Sequence, residues 1–286
     1  MLLNNPNDYK YWRDEKLKHA LSRVEDCLVQ IENPYQLTDA EKSKMQALCR
    51  YNNFALFEIA AQENTPEAIV QFNHQFGLVD YDQHLYMQND GLAHITQSHK
   101  QDQAEFIPYT DKAIGWHTDG YYNADDNRIR AFSLFCVNPA SVGGANQWID
   151  PQMAYILLRE DNAEVVEALA HPQAMTIPAH IIDGVTRRET SVGSIFFIDE
   201  STSELSMRYT QRKRNIEFYN STEVKQAVEL LDELLDANTP HHFQYTMQSN
   251  QGLICNNILH KRSAFTDNPD NPRLLLRGRY SNRISP

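Results

Sequence analysis

Between about residues 106 and 220, short apolar runs alternate with turn residues, and this rhythm restricts the fold more than any other feature of the chain. Phe132-Ser-Leu-Phe-Cys-Val137 ends at Asn138-Pro139, and Ser194-Ile-Phe-Phe-Ile198 and Ile216-Glu-Phe-Tyr219 follow at intervals. Each run has the length of a strand and not of a helix, and hairpin-length loops separate them, which predicts an antiparallel sandwich or barrel. Two helical stretches interrupt the series. One covers 151 to 158 and continues over 162 to 169. The other covers 222 to 235, with Val224, Ala227, Val228, Leu231, Leu234 and Leu235 along one side.

The first third of the chain reads differently. Trp12, Leu17, Ala20, Leu21, Val24, Leu28 and Ile31 recur at helical spacing up to Asn33-Pro34, predicting one helix over 9 to 31 and an N-terminal helical segment at about 1–37. Thr38-Asp-Ala-Glu41 has the form of a capping box and opens a second helix carrying Met45, Leu48 and Cys49. A strand follows at 54 to 59, and Thr65-Pro66-Glu67 starts a helix that runs to Gly77. The apolar faces of these helices leave two uses open, the core or contact with a second copy of the chain as a homo-oligomer. No repeat, low-complexity tract or Gly/Ser linker divides the sequence, so residues 1–286 are expected to form a single domain.

Composition narrows the partners. With 41% hydrophobic and 22% charged residues the chain is of ordinary globular type. Its 38 acidic against 26 basic residues give a formal charge of −12, which opposes binding to nucleic acid. The N-terminal MLLNNPNDYKYWRDEK has no uninterrupted apolar stretch, and nowhere does the chain approach the ~18 apolar residues of a membrane span. Cys27, Cys49, Cys136 and Cys255 lie far apart without a CxxC pair, as buried thiols in a reducing compartment would. A cytoplasmic protein without membrane contact is the expectation.

Chemistry concentrates in Gly115-Trp-His-Thr-Asp-Gly-Tyr-Tyr122. His117 and Asp119 are two apart, so on an extended chain both side chains emerge on one face and can reach one cation. The bare HxD spacing is common and an ordinary surface loop would also show it. A third ligand is needed, and His260, at the end of a predicted strand over 252 to 260, is one of eleven histidines available. Two histidines and a carboxylate on one face of an octahedron form the non-heme Fe(II) oxygenase arrangement, which leaves three adjacent positions free.

Several separated motifs then agree in order. Trp116-His-Thr-Asp119, Leu134-Phe-Cys-Val-Asn-Pro-Ala-Ser-Val-Gly-Gly144, Arg208-Tyr-Thr210, Asn257-Ile-Leu-His-Lys-Arg-Ser-Ala-Phe265 and Arg273-Leu-Leu-Leu-Arg277 together resemble the taurine dioxygenase and clavaminate synthase-like family of Fe(II)/2-oxoglutarate-dependent dioxygenases. The likeness spans roughly 38 to 284. It implies a mainly β fold with flanking helices, a distorted double-stranded β-helix or jelly roll. It also implies a hydroxylase that uses Fe(II), 2-oxoglutarate and O2 on a small polar or amino-acid-like substrate, releasing succinate and CO2.

Residue by residue, the resemblance makes His117, Asp119 and His260 the iron ligands and gives Arg277 the distal carboxylate of 2-oxoglutarate, which suits the rigid donor fork of arginine. Arg273, on the same strand face, either assists that carboxylate or forms an ion pair. Asn146 stands where the family often has a threonine that touches the co-substrate. The Asp119 carboxylate disfavours halogenation, which needs that coordination position open. Tyr121, Tyr122 and Asn123 either line the substrate pocket or pack at the barrel rim. Arg208 belongs with them through its motif, while Arg187, Arg188, Arg212, Lys213 and Arg214 form a basic concentration that suits an anionic substrate or a solvated face. His94 is a further pocket candidate, and His99, His180, His241 and His242 have no evident partners. Two other readings stand beside this one: a non-catalytic jelly-roll binding or regulatory protein, and a zinc hydrolase on the same ligands.

Overall fold

The computed structural model describes residues 5–60, 64–82, 86–98 and 106–284. Among these, six helices flank two main sheets. Counting only the strands of those sheets in chain order, they are β1 (Leu28–Ile31), β2 (Phe54–Ile59), β3 (Ala93–Ile95), β4 (Ile114–His117), β5 (Ala131–Asn138), β6 (Asn146–Ile149), β7 (Phe243–Tyr245), β8 (Gln251–Cys255), β9 (Leu259–Arg262) and β10 (Leu274–Tyr280). The larger sheet has the order β1-β2-β8-β5-β10-β3 and the smaller β7-β6-β9-β4. Phe54, Leu56, Phe132, Leu134, Trp148, Leu253, Cys255 and Leu275 fill the space between them. This is the sandwich that the alternating runs predict, in the mainly β, jelly-roll form with flanking helices that the family resemblance implies, and the barrel is not closed.

The helices cover the outer faces because their apolar stripes have no other place to go. Asp39–Asn52 and Pro66–His74 lay Met45, Cys49, Ile69 and Phe72 on the outside of the larger sheet, against Ala55, Phe57, Phe135, Ile254 and Leu276. Thr38 caps the first through a complete capping box with Glu41, and Asn53 closes it in the left-handed region at φ 64°. Pro151–Asp161, Ala163–Leu169 and Thr222–Asp236 pack on the smaller sheet's side around Ile149 and Leu259. The helix faces of the N-terminal third are therefore committed to the core. None of the described helices is long and apolar enough to cross a membrane.

Two expectations need correction. The helix predicted over 9 to 31 covers only Pro6–Lys18; a short 3-10 turn follows at Val24–Cys27, and then β1. Leu28-Val-Gln-Ile31 alternates as well as it steps, and Val29 and Ile31 are buried while β1 runs parallel to β2 from Leu28↔Leu56 to Ile31↔Ile59. A free edge beside β2 decided between the two periods. The predicted strand over 252 to 260 is two strands in different sheets, β8 and β9, broken at Asn256–Ile258. That break moves the chain across the sandwich and delivers His260 to the smaller sheet.

Candidate active site

β4 and β9 run antiparallel with His117 directly opposite His260, so the register itself brings the two imidazoles together, with ring centroids 4.2 Å apart. His117 Nδ1 lies 2.9 Å from the carbonyl of Gly115, and His260 Nδ1 2.9 Å from that of Ile258. A carbonyl only accepts, so each Nδ1 carries the proton and each Nε2 keeps its lone pair free. Asp119 follows β4, and its Oδ1 is 3.9 Å from His117 Nε2. One ligand atom from each of the three residues lies within 4.8 Å of the other two. Gly120, at φ +67°, then turns the chain away where a Cβ would strike Ile129.

The electrostatics prepare the same three groups. Burial, then the neighbouring His117, pushes His260 down to about 3, and burial lowers His117 as well, so both stay neutral at physiological pH. Burial alone would raise the Asp119 carboxyl. Arg277 and Arg279, then the two histidines, outweigh it and hold Asp119 well below the usual carboxylate range. Its Oδ2 is buried and has no hydrogen-bond partner among the described residues. Two neutral imidazole nitrogens and an ionised carboxylate with an orphaned oxygen suit a divalent first-row transition metal.

Around this centre the strands of the larger sheet supply arginines. Arg277 on β10 puts Nη1 3.9 Å from Asp119 Oδ2, and its Nε is buried without an acceptor among the described residues. Arg273 shares the parity of Leu275 and Arg277, whose face looks into the sandwich. It is only 4% exposed, lies over the Phe265 ring and makes no side-chain hydrogen bond or ion pair among the described residues. Its Nε approaches Gly144, in the Gly143-Gly144 turn where a Cβ on Gly143 would strike the Ala264 carbonyl. Asn146, two residues beyond, is buried on the inward face it shares with Trp148, and its amide likewise finds no partner among the described residues.

Other candidates are employed elsewhere. Arg208 donates from Nε to the carbonyl of Tyr121, from Nη1 to that of Met175 and from Nη2 to Ser191 O and Oγ. Those four bonds make it a brace between loops and leave no fork for a substrate, correcting its expected role. Tyr121 is also turned away: its ring is buried in the core beside the helices and its hydroxyl accepts from Arg212 Nη1 at 2.9 Å. Tyr122 packs edge-on against the Tyr121 ring, with ring centroids 5.1 Å apart, and its hydroxyl accepts from Arg279 Nη1 at 3.1 Å, while Arg279 Nη2 also holds Asp82. Asn123 donates to the carbonyl of Asn127. Tyr122, Asn123, Asp82 and Arg188 line a cleft of about 600 Å³ that opens beside the loop after Asp119. His94 bonds Asp90 at 2.8 Å and sits opposite Leu276, on the outer face of the larger sheet and away from the ligands. His99 lies outside the described residues.

Two features escaped the sequence reading. Asp82 and Arg279 form an ion pair close to the Asp119 carboxylate, and Asn257 bonds the Asp119 peptide. Nothing in their spacing announces them, since each contact joins segments distant in the chain.

The family model for taurine catabolism dioxygenase TauD, TfdA family, matches residues 13–279. The chain belongs to this family. It is an Fe(II)- and 2-oxoglutarate-dependent dioxygenase. A uridine-5'-phosphate dioxygenase from a Streptomyces species is 27% identical over 224 residues, covering 75% of this chain and 78% of the relative. A second, from an Amycolatopsis species, is 28% identical over 170 residues, or 58% of this chain and 60% of that one. Among solved structures, an asparagine oxygenase in complex with Fe(II), 3-hydroxyasparagine and succinate superposes with a TM-score of 0.62 at 13% identity, covering 85% of this chain and 80% of that one. A taurine dioxygenase from Burkholderia xenovorans gives 0.57 at 18% identity, covering 88% and 85%. At these identities the structures speak to the fold alone.

Proposed function

We propose that this dioxygenase hydroxylates a small polar substrate bearing an anionic group, with His117, Asp119 and His260 holding the iron. The observation that carries the reading is the convergence of two Nε2 lone pairs and an orphaned, ionised carboxylate oxygen. Bound Fe(II) would supply the chemistry that couples oxidative decarboxylation of 2-oxoglutarate to attack on a substrate C–H bond.

The chain's own task is to hold and orient. The distal carboxylate of 2-oxoglutarate lies three carbon–carbon bonds beyond the metal-chelating end, whereas Arg277 stands against a metal ligand. We therefore assign the distal carboxylate to Arg273 and Asn146, two buried donors with no other employment among the described residues. Arg277 then sits where an anionic group of the substrate would arrive, close to Asp119. A cleft of this volume suits a small molecule. Its lining includes Arg188, which has no ion pair among the described residues, together with Tyr122 and Asn123 as neutral contacts. The activities of the relatives and structural neighbours make uridine-5'-phosphate, taurine and asparagine the first compounds to try.

We also propose that residues 1–286 act as one oxygenase domain, because β1 joins the main sheet and Tyr9 and Trp12 pack on Tyr155. The four free cysteines are all buried, in keeping with a reducing, cytoplasmic setting. Anaerobic addition of Fe(II) and 2-oxoglutarate tests the centre: a visible metal-to-ligand charge-transfer band is expected, and metal-loaded protein without one would refute chelation of the co-substrate. Succinate release stimulated by one member of the panel would separate turnover from mere binding. Product formation without O2 or 2-oxoglutarate would instead mark a hydrolase.

A further inference from the structure

The break between β8 and β9 places two adjacent asparagines back to back. Asn256 turns toward the C-terminal segment, accepting from Ile284 N at 3.1 Å and donating to Asn53 Oδ1 at 3.2 Å. Asn257 adopts φ +48°, a left-handed conformation that asparagine tolerates better than most residues, and turns toward Asp119. Its Oδ1 accepts from Asp119 N at 2.8 Å, while its Nδ2 donates to Asp119 O at 3.0 Å and to Ile129 O at 2.6 Å. One carboxamide thus closes a ring with both backbone polar atoms of Asp119 and reaches the segment that leads into β5 as well.

We infer that Asn257 is a positioning residue for the metal centre, fixing the Asp119 backbone relative to the segment that delivers His260. It stands three residues before His260, so the clamp ties the two ligand-bearing segments on the far side of His117↔His260, past the end of the strand pairing that runs from Ile114↔Arg262. Groups that orient metal ligands from behind are worth roughly 10–100-fold in metal affinity. Aspartate could not substitute. It would keep the bond from Asp119 N but set a charged acceptor against two carbonyls and add a negative charge behind the metal carboxylate.

The inference rests on the ligand set proposed above, and its test separates the two. On full-length protein, Mn(II) and Fe(II) affinities are measured anaerobically for the parent, Asn257→Ala, Asn257→Asp and, as a control, Asn256→Ala. The charge-transfer band with 2-oxoglutarate and the melting temperature are recorded for each. Both Asn257 variants are expected to lose about 10–100-fold in metal affinity and to shift or weaken the band, whereas Asn256→Ala lowers the melting temperature and leaves metal affinity alone. Should Asn257→Ala fail to fold, the near-isosteric Asn257→Asp carries the test. A folded Asn257 variant with parental affinity and band would overturn the inference, as would an equal loss in Asn256→Ala. A parent that binds no metal would instead sink the ligand assignment.

Discussion

Exchanging arginine for lysine at either end of the five-residue stretch Arg273–Arg277, which leads into β10, discriminates between two ways of holding 2-oxoglutarate. Arg273 is 4% exposed and its guanidinium donates to nothing among the described residues, so a bound carboxylate would supply its missing partner. Two charge-assisted hydrogen bonds are worth about 1.5–3 kcal/mol each. Lysine keeps the charge and the apolar stem over Phe265 but offers a point donor, so Arg273→Lys forfeits about one of the two bonds. A loss of about 1.5–3 kcal/mol is roughly ten- to hundred-fold in affinity. The KM for 2-oxoglutarate should rise by that factor at saturating substrate, followed through succinate release. Anaerobic titration of the charge-transfer band should give the same factor without turnover. Arg277→Lys, beside Asp119, should leave the 2-oxoglutarate requirement within a few-fold and lower turnover or substrate affinity instead. The reverse pattern, with Arg273→Lys silent and Arg277→Lys raising the 2-oxoglutarate requirement, would refute the reasoning and return the distal carboxylate to Arg277.

Three further outcomes are expected. His260→Ala should abolish iron-dependent turnover, because no other histidine among the described residues joins the cluster; unchanged succinate formation would remove it from the ligand set. Metal binding competes with protons for the imidazoles, and with His260 pushed down to about 3 and His117 also lowered, Mn(II) affinity should stay nearly flat from pH 7.5 to 5.5. A tenfold decline centred near 6.5, as for exposed histidines, would contradict the burial argument. Asp199 is pushed up by burial but held below the ordinary carboxylate range by Ser201 and Arg130, so its contribution to stability is present above the ordinary carboxyl pKa and vanishes as pH falls through the lower native value. Asp199→Asn should therefore lower the unfolding free energy by about 2–3 kcal/mol near neutrality, less than a fully enclosed pair because Arg130 keeps some contact with water. In denaturant melts the gap to the parent should close in acid, and a gap constant from pH 7 to 3 would tell against the pair.

Much of this was legible in local signals. A capping box, a Thr-Pro helix start and apolar runs ending at Asn-Pro are decided within a few residues, and Thr38, Thr65 and β5 appear where those signals put them. The three side chains that converge as a candidate metal site were legible because motifs preserve short-range order around each. What could not be read depended on partners far along the chain. Leu28–Ile31 took the strand period only because β2 offers an edge. Arg208 belongs to a recognisable motif, yet its donors go to carbonyls of residues 121, 175 and 191, which no spacing reveals. Tyr121 and Tyr122 are neighbours in sequence and their rings touch, yet the hydroxyl of one accepts from Arg212 and that of the other from Arg279, partners far along the chain that no local pattern shows.

The pairing of His117 with His260 also has a bearing on biosynthesis. Half the chain separates the two imidazoles, and the strand bearing the second can dock only after β8 has crossed the sandwich. A nascent polypeptide holding only His117 and Asp119 presents an incomplete chelate, so capture of a wrong cation during translation gains little. On the proposed ligand set, metallation would wait until the segment bearing His260 has emerged and folded, and ion uptake after dilution from denaturant should lag behind recovery of sheet signal.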